Sequence, residues 1–340
     1  MRQITVLRPL GRYINMTQVR DDSDAIISDD FIAVSREEFI AGTQVPVDIF
    51  LKLSEEKFVL ILKEGSKANF ESMHFSQKAE WLYVRKVDYH KCVGKALTVA
   101  GIVLESDKVS AEKKTYVLSK AADSIFTEID QLGFNHQSLE HCRVISRSIQ
   151  TLVDAKPDIN YVVELMASLN ENLIAHSMMV SAISVIVARS MKWTMSQNLE
   201  KLALGALLHD VGLKEIPEEI LDLPRHALSR DQMAVYESHV YRGVDILRSM
   251  PSISDDIIAI VLEHHENAPG QGYPRRIRDF KMNPFARIVA LSDCFADLVM
   301  KSANNPNPKS AQAALEFIEI TLGQPFHRAA FVALKGSMGK

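Results

Sequence analysis

Hydrophobic and polar positions change rhythm near residue 92. Before it, short apolar runs alternate with polar breaks: VDIFLKL (47–53) and KFVLIL (57–62) flank Ser54-Glu55-Glu56, and Gly65 closes the second run. That pattern predicts a β-hairpin. WLYV (81–84) reads as another strand, with a helix from Phe70 to Ala79 before it. Residues 1–92 are therefore expected to form a small α+β domain.

Beyond residue 92 the period is that of a helix. Leu118, Ala122, Ile125, Ile129 and Leu132 recur every three or four residues, and Cys142, Ile145, Ile149 and Leu152 repeat the pattern after Gly133-Phe134-Asn135. Two amphipathic helices with a turn between them are predicted, packing on the domain that follows or forming the contact face of a homodimer. Further helices are predicted at 158–170, 172–192, 197–210, 229–250, 254–266, 283–302 and 309–322, bounded by proline, glycine and asparagine positions. The expected architecture is mainly α: a helical bundle over 93–340 behind the small N-terminal α+β domain. The joint rests on the change of period alone.

Composition narrows the function. A chain of 340 residues with 47% hydrophobic and 24% charged residues is an ordinary globular sequence, long enough for two domains. Lys plus Arg is 39 against 43 for Asp plus Glu, so the net charge of −4 offers no general attraction to nucleic acid or anionic lipid. No DNA partner is expected. Cys92, Cys142 and Cys294 are far apart and lack CxxC spacing, which leaves neither a disulfide framework nor a zinc ribbon and points to the cytoplasm. The longest mostly apolar stretch, Ser177 to Ala188, is shorter than the roughly 20 residues of a membrane span, so no membrane association is expected.

The placement of histidine and aspartate is the informative feature. His176 lies within a predicted helix, His209-Asp210 closes the next, His239 sits mid-helix, His264-His265 closes another and Asp293 lies in a later one. Imidazole and carboxylate are ligands that first-row transition metals accept at neutral pH, and a carboxylate can bridge two ions through its two oxygens. These seven groups suffice for two metal sites. With no thiolate among them, iron or manganese is the expected metal.

The segments ALLHDVG (206–212), HHENAPGQGYP (264–274) and LSDCFADL (291–298), in that order, resemble the HD-GYP family of the HD phosphohydrolase superfamily. The resemblance covers roughly residues 165–325, and Phe31 to His90 looks like the small module found ahead of some HD-GYP domains. It implies an all-helical HD bundle and hydrolysis of the bacterial messenger cyclic di-GMP to pGpG and/or GMP. It also implies metal ligation by His176, His209, Asp210, His239, His264, His265 and Asp293. One ion is expected on His176, His209, Asp210 and Asp293, and the other on Asp210, His239, His264 and His265, with Asp210 the catalytic bridge. Such a pair would acidify a shared water and offset charge on the attacked phosphate.

Lys214 is the second expected catalytic residue. It is also expected to contact substrate, with Gly270, Gly272, Tyr273, Pro274, Arg275 and Lys301; Arg276 is a further phosphate candidate. The sequence departs from the family pattern where charge is usual: Leu213 replaces a lysine, Pro269 an aspartate and Ser302 an arginine, while Asn172 replaces a glutamate of three-metal members. Two rivals follow. One is a catalytically weak or inactive module that engages signalling partners through the G-Y-P loop or the N-terminal domain. The other is a hydrolase of a different cyclic dinucleotide.

Overall fold

The computed structural model describes residues 30–39, 42–54, 57–69, 81–167, 169, 173–250 and 252–339. The helix expected from Phe70 to Ala79, and Asn172, lie outside them. Four antiparallel strands, β1 (Phe31–Ser35), β2 (Ile49–Ser54), β3 (Lys57–Leu62) and β4 (Trp81–Arg85), form one sheet in the order β1-β4-β2-β3. The pairing of Val34 with Leu82 and Ile32 with Val84 sets one apolar face of β1 and β4 toward the core. Phe31, Phe50 and Phe58 form a separate aromatic cluster with Tyr83. The expected hairpin is β2–β3.

The rest of the described chain is helical: α1 (Tyr89–Glu105), α2 (Ala111–Leu132), α3 (His136–Ala155), α4 (Ile159–Ala167), α5 (Leu173–Ser190), α6 (Ser196–Leu208), α7 (Glu218–Leu221), α8 (Arg230–Glu237), α9 (His239–Arg248), α10 (Asp255–Glu263), α11 (Pro284–Val299), α12 (Ala311–Glu316) and α13 (Arg328–Gly336). Starts follow local chemistry. Asn135 and Ser229 make capping boxes, Ser110 and Ser310 cap through their hydroxyls, and Asn283 caps a helix with proline at its first position. One buried apolar cluster runs from Ile32 and Leu82 in the sheet through Val93 in α1 and Leu118 in α2 to the helices of the site.

Two helical predictions are corrected and one helix is added. The helix expected over 229–250 is two, α8 and α9, parted at Ser238, whose hydroxyl donates to Val235 O at 2.6 Å. The helix expected over 309–322 keeps α-helical form only to Glu316 and continues as a π turn to Thr321. Helix α13 has no sequence prediction, because its nine residues carry three small alanines and end at Gly336, too short for a clear period.

Helix α5 is the axis of the bundle, packing on α6, α11, α13, α3 and α4. It is long and apolar enough to cross a bilayer by composition, but 72% of that window is buried inside the fold. A helix surrounded by others is hydrophobic all round. Where α6, α9 and α10 meet, glycines allow close approach: a Cβ on Gly205 would overlap the Ile260 side chain, and one on Gly212 would overlap the His239 carbonyl oxygen and stand 2.5 Å from the Gly243 nitrogen. Because the obstacle at Gly212 is backbone, Gly212→Ala is expected to destabilise the fold by about 1–3 kcal/mol. It should also displace His239. Denaturant unfolding would read the first effect, and loss of bound metal the second.

Candidate metal centre

Three of the candidate histidines stand at helix ends and are held in the same way. His209 follows α6, His264 follows α10 and His239 follows the break after α8; their Nδ1 atoms lie 2.7, 2.9 and 2.8 Å from the carbonyl oxygens of Ala206, Val261 and Tyr236. Each of those carbonyls belongs to a final turn, where backbone acceptors lack partners within the helix. The ring N–H fills that vacancy. It also fixes the tautomer, leaving a lone pair on each Nε2.

Those lone pairs converge on Asp210. Its Oδ1 lies 3.3 Å from His239 Nε2 and 3.4 Å from His264 Nε2, which are themselves 3.4 Å apart, while its Oδ2 lies 3.3 Å from His209 Nε2. His176, on α5, adds its Nε2 at 3.0 Å from Asp293 Oδ1, and Asp293 Oδ1 is 3.6 Å from His209 Nε2. His265 Nδ1 stands 3.7 Å from Asp293 Oδ2. Ligand atoms about 2.1 Å from one ion and 90–109° apart are separated by roughly 3.0–3.4 Å, so the spacings around Asp210 fit a shared cation.

Three unpaired buried polar atoms lie at the same place. His209 Nε2, Asp210 Oδ1 and His265 Nε2 are buried and make no hydrogen bond among the described residues. Oxygen and nitrogen lone pairs facing one another repel, and an orphaned buried polar atom costs about 1–3 kcal/mol. A cation among them removes both costs. Without one, protons are the available substitute: burial opposes charge on His209, but Asp210 and Asp293 beside it hold its imidazole well above the ordinary range. Asp210 and Asp293 are held well below theirs against the same burial, the first chiefly by His209 and the second by His176 and His209. His265 is pushed well down by burial and by His264.

Asp210, His239, His264 and His265 offer atoms within 4.8 Å of one another, and so do His176, His209 and Asp210, a group that leaves Asp293 out. A residue that the sequence reading missed joins this edge. Asp297, one turn after Asp293 on α11, makes a third such group with His176 and Asp293, and its Oδ1 is 3.8 Å from His176 Nδ1. The four-residue spacing between the two aspartates was the available signal.

The expected substrate contacts fare differently. Lys214 is turned away: its ammonium donates to Phe126 O at 2.8 Å and pairs with Asp130, both on α2, and burial lowers its pKa. The neighbouring Leu213 packs with Ile216 and Ile220, so apolar burial, with no charge, occupies that position. Arg275 is committed to Glu263. Lys301 is exposed just beyond α11. Gly270 takes φ +78°, and a Cβ on Gly272 would overlap the His265 carbonyl, so this turn of the loop lies directly against the histidine pair. Tyr273, followed by Pro274, is half-buried, its ring stacked on His265 at 4.5 Å between centroids.

Two buried glutamates flanking His264-His265 hold the loop. Glu266 accepts from the backbone N–H groups of Arg275 at 2.6 Å and Ile277 at 3.0 Å, and Glu263 accepts from that of Asn283 at 2.6 Å. Glu266→Ala would strand two donors and remove a charged acceptor, a loss of about 1.5–3 kcal/mol per bond. The loop should then become sensitive to trypsin at Arg275, Arg276 and Arg278 while α10 stays folded. Cleavage at the wild-type rate would show that other contacts hold it. Removing metal gives a second expectation: chelation should lower the thermal midpoint and Mn²⁺ or Fe²⁺ restore it, since a ligand at 100 times its Kd contributes about 2.7 kcal/mol. A midpoint indifferent to both would count against metal binding.

Comparison with known proteins supports this reading of the fold. Residues 160–325 match the HD domain family. A cyclic di-GMP phosphodiesterase of Thermotoga maritima is 28% identical over 63% of this chain and 52% of its own length; cyclic di-GMP phosphodiesterase PA4108 of Pseudomonas aeruginosa is 27% identical over 41% and 32%. The 3'3'-cGAMP-specific phosphodiesterase 2 of Vibrio cholerae is 38% identical over 28% of this chain and 18% of its own. The chain thus spans about half the length of these relatives, or less. Among solved structures, Bd1817, an HDG"Y"P protein from Bdellovibrio bacteriovorus, shares the fold with a TM-score of 0.63 and 17% identity, over 90% of this chain and 99% of that one. With the His/Asp cluster built on the matched helices, residues 160–325 form an HD domain, and its fold resembles that of an HD-GYP protein.

Proposed function

We propose that this protein is a metal-dependent phosphodiesterase that hydrolyses cyclic di-GMP to pGpG and/or GMP, or a close cyclic dinucleotide relative to its own linear products. One observation carries the reading: the two oxygens of Asp210 face different histidines, Oδ2 toward His209 and Oδ1 toward His239 and His264. A carboxylate split in this way is suited to bridging two ions. We assign one ion to His176, His209, Asp210 and Asp293 and the other to Asp210, His239, His264 and His265, with iron or manganese as the metal. Bound there, two such ions acidify water and neutralise charge on a phosphodiester.

The protein's own groups do the rest. The Nδ1 clamps hold the rings in one orientation, so no ordering cost falls at the moment of reaction. Tyr273 stacked on His265 covers one side of the pair. Hydrolysis adds water across the phosphorus–oxygen bond: the phosphate keeps the hydroxyl oxygen and the departing 3′ oxygen takes a proton. The named relatives act on cyclic di-GMP or 3'3'-cGAMP, which supports a cyclic dinucleotide as the substrate class.

The decisive experiment expresses the chain with added iron or manganese, counts bound metal and follows both cyclic dinucleotides. About two ions per chain and turnover of at least one dinucleotide are expected. Asp210→Ala should retain its circular dichroism, because the fold rests on apolar helix faces, and lose at least roughly a thousandfold in rate, about 4 kcal/mol of barrier. If metal-loaded wild type binds a dinucleotide without cleaving it, the chain is a binding module. Tyr273→Ala would then be the variant that loses affinity.

A further inference from the structure

We propose that Arg225 is a substrate-contacting residue of this site, its guanidinium binding a phosphate oxygen of the phosphodiester. The assignment rests on the phosphodiesterase reading above. A cyclic dinucleotide brings two negative phosphates to a centre already holding Asp210, Asp293 and Asp297. The positions where the family resemblance implies positive charge carry Leu213 and Ser302, while Lys214 is held by α2 and Arg275 by Glu263. Besides the exposed Lys301 and Arg276, the fold brings one further cation up to these aspartates.

Arg225 is placed to supply it. It opens a short 3₁₀ turn, Arg225–Ala227, after Pro224, and its backbone N–H donates to Asn304 Oδ1 at 2.6 Å. Its Nη2 donates to Asp297 Oδ2 at 2.6 Å, and the other oxygen of that carboxylate faces His176. The guanidinium also lies over the Tyr236 ring at 5.6 Å, and that ring stands 5.4 Å from His239. One cation thus abuts the His176 edge through Asp297 and the His239 edge through Tyr236.

The donor count leaves room for a ligand. Asp297 engages Nη2, whereas Nε is buried and makes no hydrogen bond among the described residues. An unmet donor on a charged group is costly, and a phosphate oxygen is the acceptor that the planar guanidinium fork matches best. The side chain remains 37% exposed, so an incoming phosphodiester meets its exposed part directly and reaches Nε on a change of side-chain rotamer, without unpacking the bundle.

The test uses full-length, metal-loaded protein with Arg225→Gln and Arg225→Lys, assayed on cyclic di-GMP and on bis(p-nitrophenyl) phosphate, with metal counted in each sample. Arg225→Gln should raise KM roughly 10- to 100-fold, the worth of a charge-assisted hydrogen bond, with kcat within about threefold and metal content unchanged. Arg225→Lys should recover part of the loss. An unchanged KM in an active Arg225→Gln enzyme overturns this assignment and leaves the phosphodiesterase reading intact. A fall in kcat together with metal loss also overturns it, because Arg225 would then act only as the counter-charge that positions Asp297 and His176. If metal-loaded wild type cleaves neither compound, both proposals fall together.

Discussion

The site depends on backbone carbonyls that have run out of helix. A helix that stops leaves its last acceptors unpaired, and here Ala206, Tyr236 and Val261 each take the ring N–H of the histidine three residues on. Ending the helix and presenting the ligand are one event. The alternative, a histidine free to rotate, would pay side-chain entropy and a tautomer choice each time a cation bound. Because Nδ1 is spent on the carbonyl, only Nε2 is left to face Asp210. The concentration of lone pairs around that carboxylate follows directly.

Packing then sets the distances. Helices α6, α9 and α10 approach at Gly205, Gly212 and Gly243, where a methyl group has no room, so the histidine-bearing ends are placed by backbone contact as much as by side chains. Helix α5 delivers His176 from a segment buried almost all round. Close-packed interiors resist small displacements. The candidate ligand atoms therefore rest on closely packed backbone.

Much of this was legible in the sequence, for identifiable reasons. Helices with a clear apolar stripe, such as α2 and α3, announced themselves, and among the seven metal-ligand candidates His209-Asp210 and His264-His265 stood out as pairs at predicted helix ends. What escaped detection was direction. Lys214 sits beside the expected lysine position, yet on a 3₁₀ turn one residue changes the heading of a side chain by about a third of a circle, and this one meets Asp130. Asp297 and Arg225 were overlooked because their meaning lies in each other: 72 residues apart, they form a pair only in the folded chain. The break at Ser238 was hidden in an unbroken helical pattern.

The paired glutamates around His264-His265 have a consequence for how such a site can diversify. Glu263 and Glu266 pin the far side of the loop at Arg275, Ile277 and Asn283, so the stretch between is a closed segment whose ends do not depend on its contents. Loop-closure entropy changes slowly with length. Residues 268, 269 and 271 can therefore exchange side chains at little thermodynamic expense, Gly270 being held to glycine by its φ of +78°, while the imidazoles next to the anchor stay in register. The side chains of the loop and the geometry of the histidine pair are mechanically uncoupled within eight residues, an arrangement that lets one change while the other is kept.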